Sequence, residues 1–299
     1  MDRGRGGASG IVVAALGGVA QGQIGQAGCG PRSGQGSPEA DRGRPGKFCE
    51  GAVVGARRRR IWKAILAGAF VCLLTFLALS WLTGEPVALW YRVVGVDVSH
   101  YQGEIDWPVL ARSGVRFAYI KATEGATVRD DHFQRNWSDA AASGLARGAY
   151  HFFTPCRGAE VQAKNFIAAT PVVADALPPV IDAEQMGPCR SGHAMDDPGR
   201  ELLKLQKLLA DRYHRQPLIY VTKEFDRAYL QALPTTQSLW VRSLFWRPPF
   251  RQKQWIIWQY QDHANRAGIA HDVDLNVFRG DEGAFEAWRR GNADSSKSP

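Results

Sequence analysis

After residue 92, short apolar runs alternate with helical segments, and this pattern limits the folds that the chain can adopt. The runs are rich in β-branched and aromatic residues, and several segments between them carry apolar residues at helical spacing. This alternation predicts a mainly parallel sheet, because parallel neighbours need a crossover connection. The strand candidates are residues 93–98, 117–121, 148–153, 179–182, 218–221, 239–242, 256–260 and 273–275, and the helix candidates are residues 108–113, 133–143, 160–169 and 199–214.

Eight strand candidates between residues 93 and 278 indicate a closed barrel. The segments between the later strands are too short for a regular helix or, as at Pro248 and Pro249, too rich in proline. We therefore predict an α/β fold, a modified TIM-like (β/α) barrel over residues 93–290 that lacks helices in its second half. In such barrels the catalytic groups lie at the C-terminal ends of the strands.

Four acidic residues fall where such a site would lie. Asp97 ends the first predicted strand, and Asp274 lies in the eighth. Asp182 and Glu184 end the fourth, so their side chains point to one face, with Cα atoms about 6.5 Å apart. Neighbouring carboxyl groups raise each other's pKa, and glycosidic cleavage needs one acid and one carboxylate. A solvated acidic loop is the alternative, but the apolar lead-in at residues 178–181 favours a built site.

Charge and motif spacing argue against several other functions. Residues 1–60 carry ten basic and four acidic residues, whereas from Val93 onward 25 basic residues accompany 24 acidic ones. The barrel is thus nearly neutral, and we expect no nucleic-acid partner. The seven histidines form no His-x-x-x-His pair, and the chain has no Cys-x-x-Cys or Gly-x-Ser-x-Gly. We therefore expect no metal, no cofactor and no nucleophilic serine. We also expect the protein to be a monomer.

An apolar segment without charge covers residues 64–82, and a basic cluster at residues 57–60 and Lys63 precedes it. As a helix, the segment would be roughly 28 Å long, close to the bilayer core. It predicts a transmembrane helix over residues 61–83 and a linker over 84–92, with the N-terminus cytoplasmic and the barrel periplasmic or at the cell surface. A cleaved signal peptide, which would give a secreted protein, and a buried core helix are the alternatives.

The first sixty residues hold 16 of the 32 glycines and little apolar periodicity after Ala20. This composition predicts a disordered basic arm over residues 1–60, and residues 291–299 are expected to be disordered as well. A second interpretation is that translation starts near Val53 or Val54 and the arm is upstream sequence. If it is real, the arm could bind nucleic acid or anionic lipid, independently of the barrel.

Two cysteines of the predicted barrel, Cys156 and Cys189, each follow a predicted strand. Because an extracytoplasmic compartment is oxidising, we expect them to form a disulfide. Closing that loop would stabilise the fold by on the order of 3–4 kcal/mol in the chain-entropy model.

Six segments of the predicted barrel carry recognisable motifs. They are residues 95–103 (GVDVSHYQG, with IDW at 105–107), 117–125 (FAYIKATEG), 148–152 (GAYHF), 182–184 (DAE), 258–260 (WQY) and 273–276 (VDLN). Together and in this order they resemble the glycoside hydrolase family 25 lysozymes, which are N-acetylmuramidases. The resemblance implies a modified (β/α) barrel that hydrolyses the β-1,4 bond between N-acetylmuramic acid and N-acetylglucosamine, with peptidoglycan strands as the partner.

The resemblance also implies unequal roles for the acids. Glu184 would be the general acid, and Asp182 would stabilise the transition state, either directly or through the substrate's 2-acetamido group. Asp97 and Asp274 match the other two acidic positions of the site, whereas Asp272 lies outside the matched motif. The candidates for substrate contact are Tyr150, Tyr220, Trp258, Gln259 and Glu124, with barrel-core packing as the alternative for the aromatic residues and ordering of the second loop for Glu124.

One segment departs from the family pattern. After the seventh strand the family often has a small residue and an aromatic, whereas this chain has Val241, Arg242 and Ser243. Arg242 could contact a carboxylate of the glycan or peptide, or pair with an acidic residue of the site. The competing hypothesis for the whole domain is a catalytically silent, membrane-anchored module that binds the cell wall. The complete set of four acids favours the hydrolase.

Overall fold

The computed structural model describes residues 50–83, 87, 90–184, 195–244 and 246–291. The predicted disordered arm up to residue 49, most of the linker and residues 292–299 lie outside these ranges. All eight predicted strands and all four predicted helices lie within these ranges.

Helix α1 covers Glu50–Thr83 and begins well before the predicted start at residue 61. Residues 50–60 contain no proline and end in four arginines, which are good helix formers, so the helix extends into the arm that was predicted to be disordered. Within the described part of the chain, Arg57–Leu79 is the one segment long and apolar enough to cross a membrane, and its side chains are exposed. A signal sequence meets the same criterion.

All eight predicted strands are present and close into a barrel. In chain order the strands are β1 (Val94–Val98), β2 (Val115–Glu124), β3 (Val128–Arg129), β4 (Ala146–Phe152), β5 (Val180–Ala183), β6 (Leu218–Val221), β7 (Leu239–Arg242), β8 (Trp255–Ala264) and β9 (Val273–Phe278). The ring runs β1-β2-β4-β5-β6-β7-β8-β9 and closes where β9 pairs with β1, while β3 forms a small hairpin with β2. The result is a mixed α/β barrel.

The last strand runs opposite to the other seven. Within the ring, which leaves out β3, neighbouring strands from β1 to β8 are parallel, whereas β9 is antiparallel to both β8 and β1. The connection between β8 and β9, residues 265–272, contains no helix and is too short for a crossover, so the chain turns back directly. As a consequence the start of β9 lies at the rim where the parallel strands end.

Helices follow several strands and cover the outside of the barrel. They are α2 (Trp107–Arg112), α3 (Phe133–Ala142), α4 (Ala159–Ala169), α5 (Pro198–Tyr213), α6 (Lys223–Tyr229) and α7 (Glu282–Arg289). The prediction of no helix after β6 is wrong. The seven-residue α6 forms there, because the Thr222 side chain accepts a hydrogen bond from the Phe225 amide and caps it. The described residues between β7 and β8 contain no helix, as predicted.

Side chains fill the barrel interior below the rim. Aromatic rings pack there, including Phe117, Tyr119 and Trp240, while the outward residues of the same strands pack against the helices. Gly148 makes room for this packing, because a Cβ at its position would lie 2.2 Å from the Tyr119 ring. The barrel interior below the rim is therefore a packed core.

Candidate active site

The four predicted acids meet at the C-terminal rim. Asp97 on β1 and Asp274 at the start of β9 are directly opposite each other in the antiparallel ladder. Asp182 lies on β5, and Glu184 is the first residue beyond that strand. All four line one open cavity of about 210 Å³. The other side chains that line it include Tyr101, Gln102, Lys121, Tyr150, Phe152, Tyr220, Trp240 and Gln259.

Asp97 and Asp274 share a hydrogen bond, and one of the two carboxyl groups carries the negative charge. Burial, followed by the charge of Asp97, raises the pKa of Asp274 to about 10, so Asp274 is protonated at neutral pH. Burial also raises the pKa of Asp97, but hydrogen bonds from Asn276, Asp274 and Gln259 oppose this rise. Asp97 is thus the member of the pair that carries the negative charge, and the Asp274 hydroxyl donates to it.

Asp182 and Glu184 form the second pair of interacting acids. Burial raises the pKa of both groups, and the charges of Glu184 and Asp97 raise that of Asp182 further, whereas Lys121 lowers it. Asp182 is the more deeply buried of the two and also feels the charge of Glu184, so Asp182 holds a proton more readily than Glu184 in the free protein. One oxygen of Asp182, Oδ1, is buried and has no hydrogen-bond partner among the described residues.

Two side-chain relays hold Asp97 in place. The Trp240 indole donates to Asn276 Oδ1 at 2.8 Å, and Asn276 Nδ2 donates to Asp97 Oδ1 at 2.6 Å. The Tyr220 hydroxyl donates to Gln259 Oε1 at 2.8 Å, and Gln259 Nε2 donates to Asp97 at 3.1 Å. Asn276 is not among the predicted site residues. It lies two residues after Asp274 and therefore on the same strand face, and this spacing could have identified it as a site residue.

The structure divides the predicted substrate contacts into two groups. Tyr150, Tyr220 and Gln259 line the cavity. Trp258 faces outward, where it packs between Trp255 and Tyr260 and donates to a backbone carbonyl, so it does not reach the cavity. The barrel-core alternative therefore describes Trp258.

Two charged residues near the rim have partners of their own. Glu124 does not line the cavity but accepts a hydrogen bond from Lys121 at 2.7 Å, and it thereby holds an ammonium group that does. Arg242 forms an ion pair with Asp262 at 2.7 Å, which is not one of the four site acids. Its charge opposes the rise that burial produces in the pKa of Glu184. Asp272 is exposed and only its backbone carbonyl contacts the site region, through Gln102.

One predicted disulfide cysteine and one cluster of possible metal ligands lie among the described residues. Cys156 is disulfide-bonded, but Cys189 lies outside the described residues, so their pairing stays a prediction. Among the described residues, His100, Asp130 and Asp131 are close enough to hold a metal ion. The oxygens of Asp130 already accept hydrogen bonds from the His100 ring and from the backbone amides of His100 and His132. These bonds explain the position of Asp130 without an ion.

Comparison with known proteins agrees with this geometry. A sequence model of the glycosyl hydrolases family 25 matches residues 96–269, which is more than half of the chain. Lysozyme M1 of Streptomyces globisporus is 30% identical over 63% of this chain and 68% of its own length.

Two solved structures share the fold. A family 25 glycosyl hydrolase from Bacillus anthracis is 35% identical, with a TM-score of 0.62 over 66% of this chain and 94% of that one. The bacterial lysozyme of Streptomyces coelicolor is 30% identical, with a TM-score of 0.61 over 67% of this chain and 98% of that one. Since the region matched by the family model contains strands β2 to β8 and three of the four acids, the chain belongs to glycosyl hydrolase family 25.

Proposed function

We propose that this protein is a peptidoglycan hydrolase of the lysozyme class. It would cleave the β-1,4 bond between N-acetylmuramic acid and N-acetylglucosamine. Several similar proteins are named lysozymes or N,O-diacetylmuramidases, which supports a cell-wall glycan as the substrate. The single observation that carries the proposal is the Asp182–Glu184 pair, two neighbouring carboxyl groups with raised pKa values at the wall of an open cavity.

The position of Asp182 in the cavity wall suggests how the pair acts on this substrate. Both sugars of peptidoglycan carry a 2-acetamido group, whose N–H can donate to the Asp182 carboxyl group where it lines the cavity. That hydrogen bond stabilises the ionised form of Asp182, so the proton of Asp182 moves to Glu184. Glu184 then protonates the leaving glycosidic oxygen, and Asp182 holds the acetamido group against C1, where positive charge develops.

The remaining steps regenerate the pair. After the bond breaks, Glu184 is a carboxylate and can take a proton from a water molecule that attacks C1. This water supplies the oxygen of the new reducing end, and its proton returns the pair to its starting state. Asp97 keeps a negative charge beside the same cavity, which stabilises the oxocarbenium-like transition state.

The proposal extends to the setting of the domain. We propose that α1 is an uncleaved anchor and that the barrel acts outside the cytoplasmic membrane, because the basic residues lie before the apolar segment. The barrel is interpreted as a variant of the TIM barrel whose last strand is reversed and whose later helices are reduced.

The experiment is mass spectrometry of purified peptidoglycan after incubation with the full-length protein in detergent. Wild type is expected to release fragments with a muramic acid reducing end, and Glu184→Gln is expected to release none. Retained release by Glu184→Gln would exclude Glu184 as the acid. Binding to peptidoglycan without release by the wild type would favour the catalytically silent wall-binding module instead.

A further inference from the structure

Tyr101 is an exposed aromatic residue at the lip of the acidic cavity. It lies in the short 3-10 turn His100–Gln102 directly after β1, and it lines the cavity although 73% of its surface is exposed. An exposed aromatic side chain alone indicates little, because single apolar groups on surfaces are common. The surroundings of Tyr101, however, show that its ring is held in position.

The backbone of the turn is fixed from both sides. Ser99 Oγ accepts a hydrogen bond from the Tyr101 amide at 3.3 Å, and Gln102 Oε1 accepts one from the Ser99 amide at 2.8 Å. Gln102 Nε2 also donates to the Asp272 carbonyl at 3.0 Å, which ties the turn to the segment before β9. The turn is therefore bonded to a second part of the rim and not only to itself.

The Tyr101 ring has a support of its own. The His100 ring lies 4.0 Å from it, centroid to centroid, at an angle of 39°. His100 is held in turn by Asp130, whose fully buried side chain bonds both the amide and Nδ1 of His100 at 2.9 and 2.8 Å. A buried carboxylate thus positions an exposed ring through an intermediate histidine, so little ordering entropy remains to be lost when a ligand packs on that ring.

The location of the ring relative to the acids indicates its ligand. In the barrel, β1 is separated from β5 by β2 and β4, so Tyr101 and Glu184 lie on different sides of the cavity mouth. A chain of sugars whose scissile oxygen meets Glu184 has to pass the opposite side of the mouth. A pyranose ring has an apolar C–H face that packs on an aromatic ring, while the tyrosine hydroxyl stays in water.

We propose that Tyr101 is a sugar-stacking residue that binds the pyranose ring next to the scissile bond and holds the glycan strand across the cavity mouth. This inference rests on the proposed function, since it concerns the same substrate. Stacking on the bound sugar is present before and during the reaction to a similar extent. Loss of the ring is therefore expected to weaken binding, while the chemical step is kept.

The test uses full-length protein in detergent and glycan strands from which the stem peptides have been removed. Tyr101→Ala is expected to raise KM about tenfold and to change kcat less than threefold, whereas Tyr101→Phe keeps KM within about twofold of wild type. The matched control is Tyr229→Ala, since Tyr229 is a half-exposed tyrosine on α6, away from the cavity. Thermal unfolding of each variant shows that the barrel is intact.

Several outcomes would overturn the inference. An unchanged KM for Tyr101→Ala, an equal rise for the control, or a rise seen only on strands that retain peptides would each do so. If wild type releases no muramic acid ends, the proposed function fails first. In that case calorimetric titration of the same strands into Glu184→Gln, with and without Tyr101→Ala, still measures the contribution of the ring to binding.

Discussion

Replacement of Asp274 by Asn is expected to stabilise the barrel at neutral pH. In the folded protein the pKa of Asp274 is raised from an ordinary 3.8 to about 10, first by burial and then by the charge of Asp97. In the unfolded chain the same group is ionised at pH 7. The folded state must therefore keep a proton that the unfolded state releases, which disfavours folding.

The size of this effect follows from the two pKa values. A group with a raised folded pKa contributes fully below pH 3.8, and its contribution is lost as the pH rises through the window up to about 10. At pH 7 the loss is about 4 kcal/mol, at 1.36 kcal/mol for each pH unit above 3.8. Asparagine does not titrate, and its amide can donate to Asp97 as the protonated carboxyl does. We expect a gain of about 2–4 kcal/mol, or roughly 4–12 °C in the unfolding midpoint.

The assay is urea unfolding of full-length wild type and Asp274→Asn in detergent, followed by tryptophan fluorescence at pH 4, 5.5 and 7. The gain should be small at pH 4 and should grow with pH. A gain that is absent at pH 7, or equal at all three values, would refute the reasoning, because Asp274 would then be ionised in the native state. Activity is a second readout: Asp274→Asn should retain more than about a tenth of wild-type kcat/KM, whereas Asp97→Asn, which loses the site's negative charge, should lose more than about 100-fold.

Three further predictions follow from individual contacts. Arg242→Gln should move the alkaline limb of the pH–activity profile to higher pH, because the positive charge that opposes the raised pKa of Glu184 is lost. Arg242→Lys should return the limb to its wild-type position. An alkaline limb that does not move in Arg242→Gln would contradict this role. Burial lowers the pKa of His151 from 6.5 to about 4, so its contribution to stability is complete above pH 6.5 and is lost as the pH falls to about 4. His151→Gln should remove up to about 3 kcal/mol of this pH dependence in urea unfolding, and an unchanged dependence would show that another group causes it. Gly148→Ala should lower the free energy of unfolding by about 1–3 kcal/mol, since the new methyl group overlaps the Tyr119 ring, and wild-type stability would show that the ring can move aside.

The strands of the barrel could be predicted from the sequence because each is a short buried run between turns. The direction of β9 could not, because it depends on whether the chain crosses over or turns back after β8. That direction decides where Asp274 lies: in a parallel strand its early position would be at the opposite rim. The motif brought Asp274 into the prediction, and only the topology explains why it meets Asp97.

The side chains around the acids were predictable where strand alternation applies. Gln259 faces the cavity, so Trp258 one residue earlier must face outward, and the alternation alone was enough to exclude it. The partner of Arg242 could not be inferred in this way. Asp262 follows an irregularity in the β8 register between Gln259 and Gln261, where the alternation no longer indicates which side chains share a face.

The two pairs of acids explain how four carboxyl groups can occupy one small cavity. If all four were ionised, burial and mutual repulsion would strongly destabilise the fold. The raised pKa values show that each pair instead takes up a proton more readily than ordinary carboxyl groups do, and the surroundings of the two pairs differ. The proton of Asp274 is fixed between two side chains whose amide donors favour charge on Asp97, so it serves the structure. In the second pair, burial and the charge of Glu184 raise the pKa of Asp182, and we propose that a hydrogen bond from substrate to Asp182 moves the proton to Glu184. On this argument the pH optimum is set by the second pair alone, so Asp274→Asn should change stability without moving either limb of the pH–activity profile by more than about half a unit.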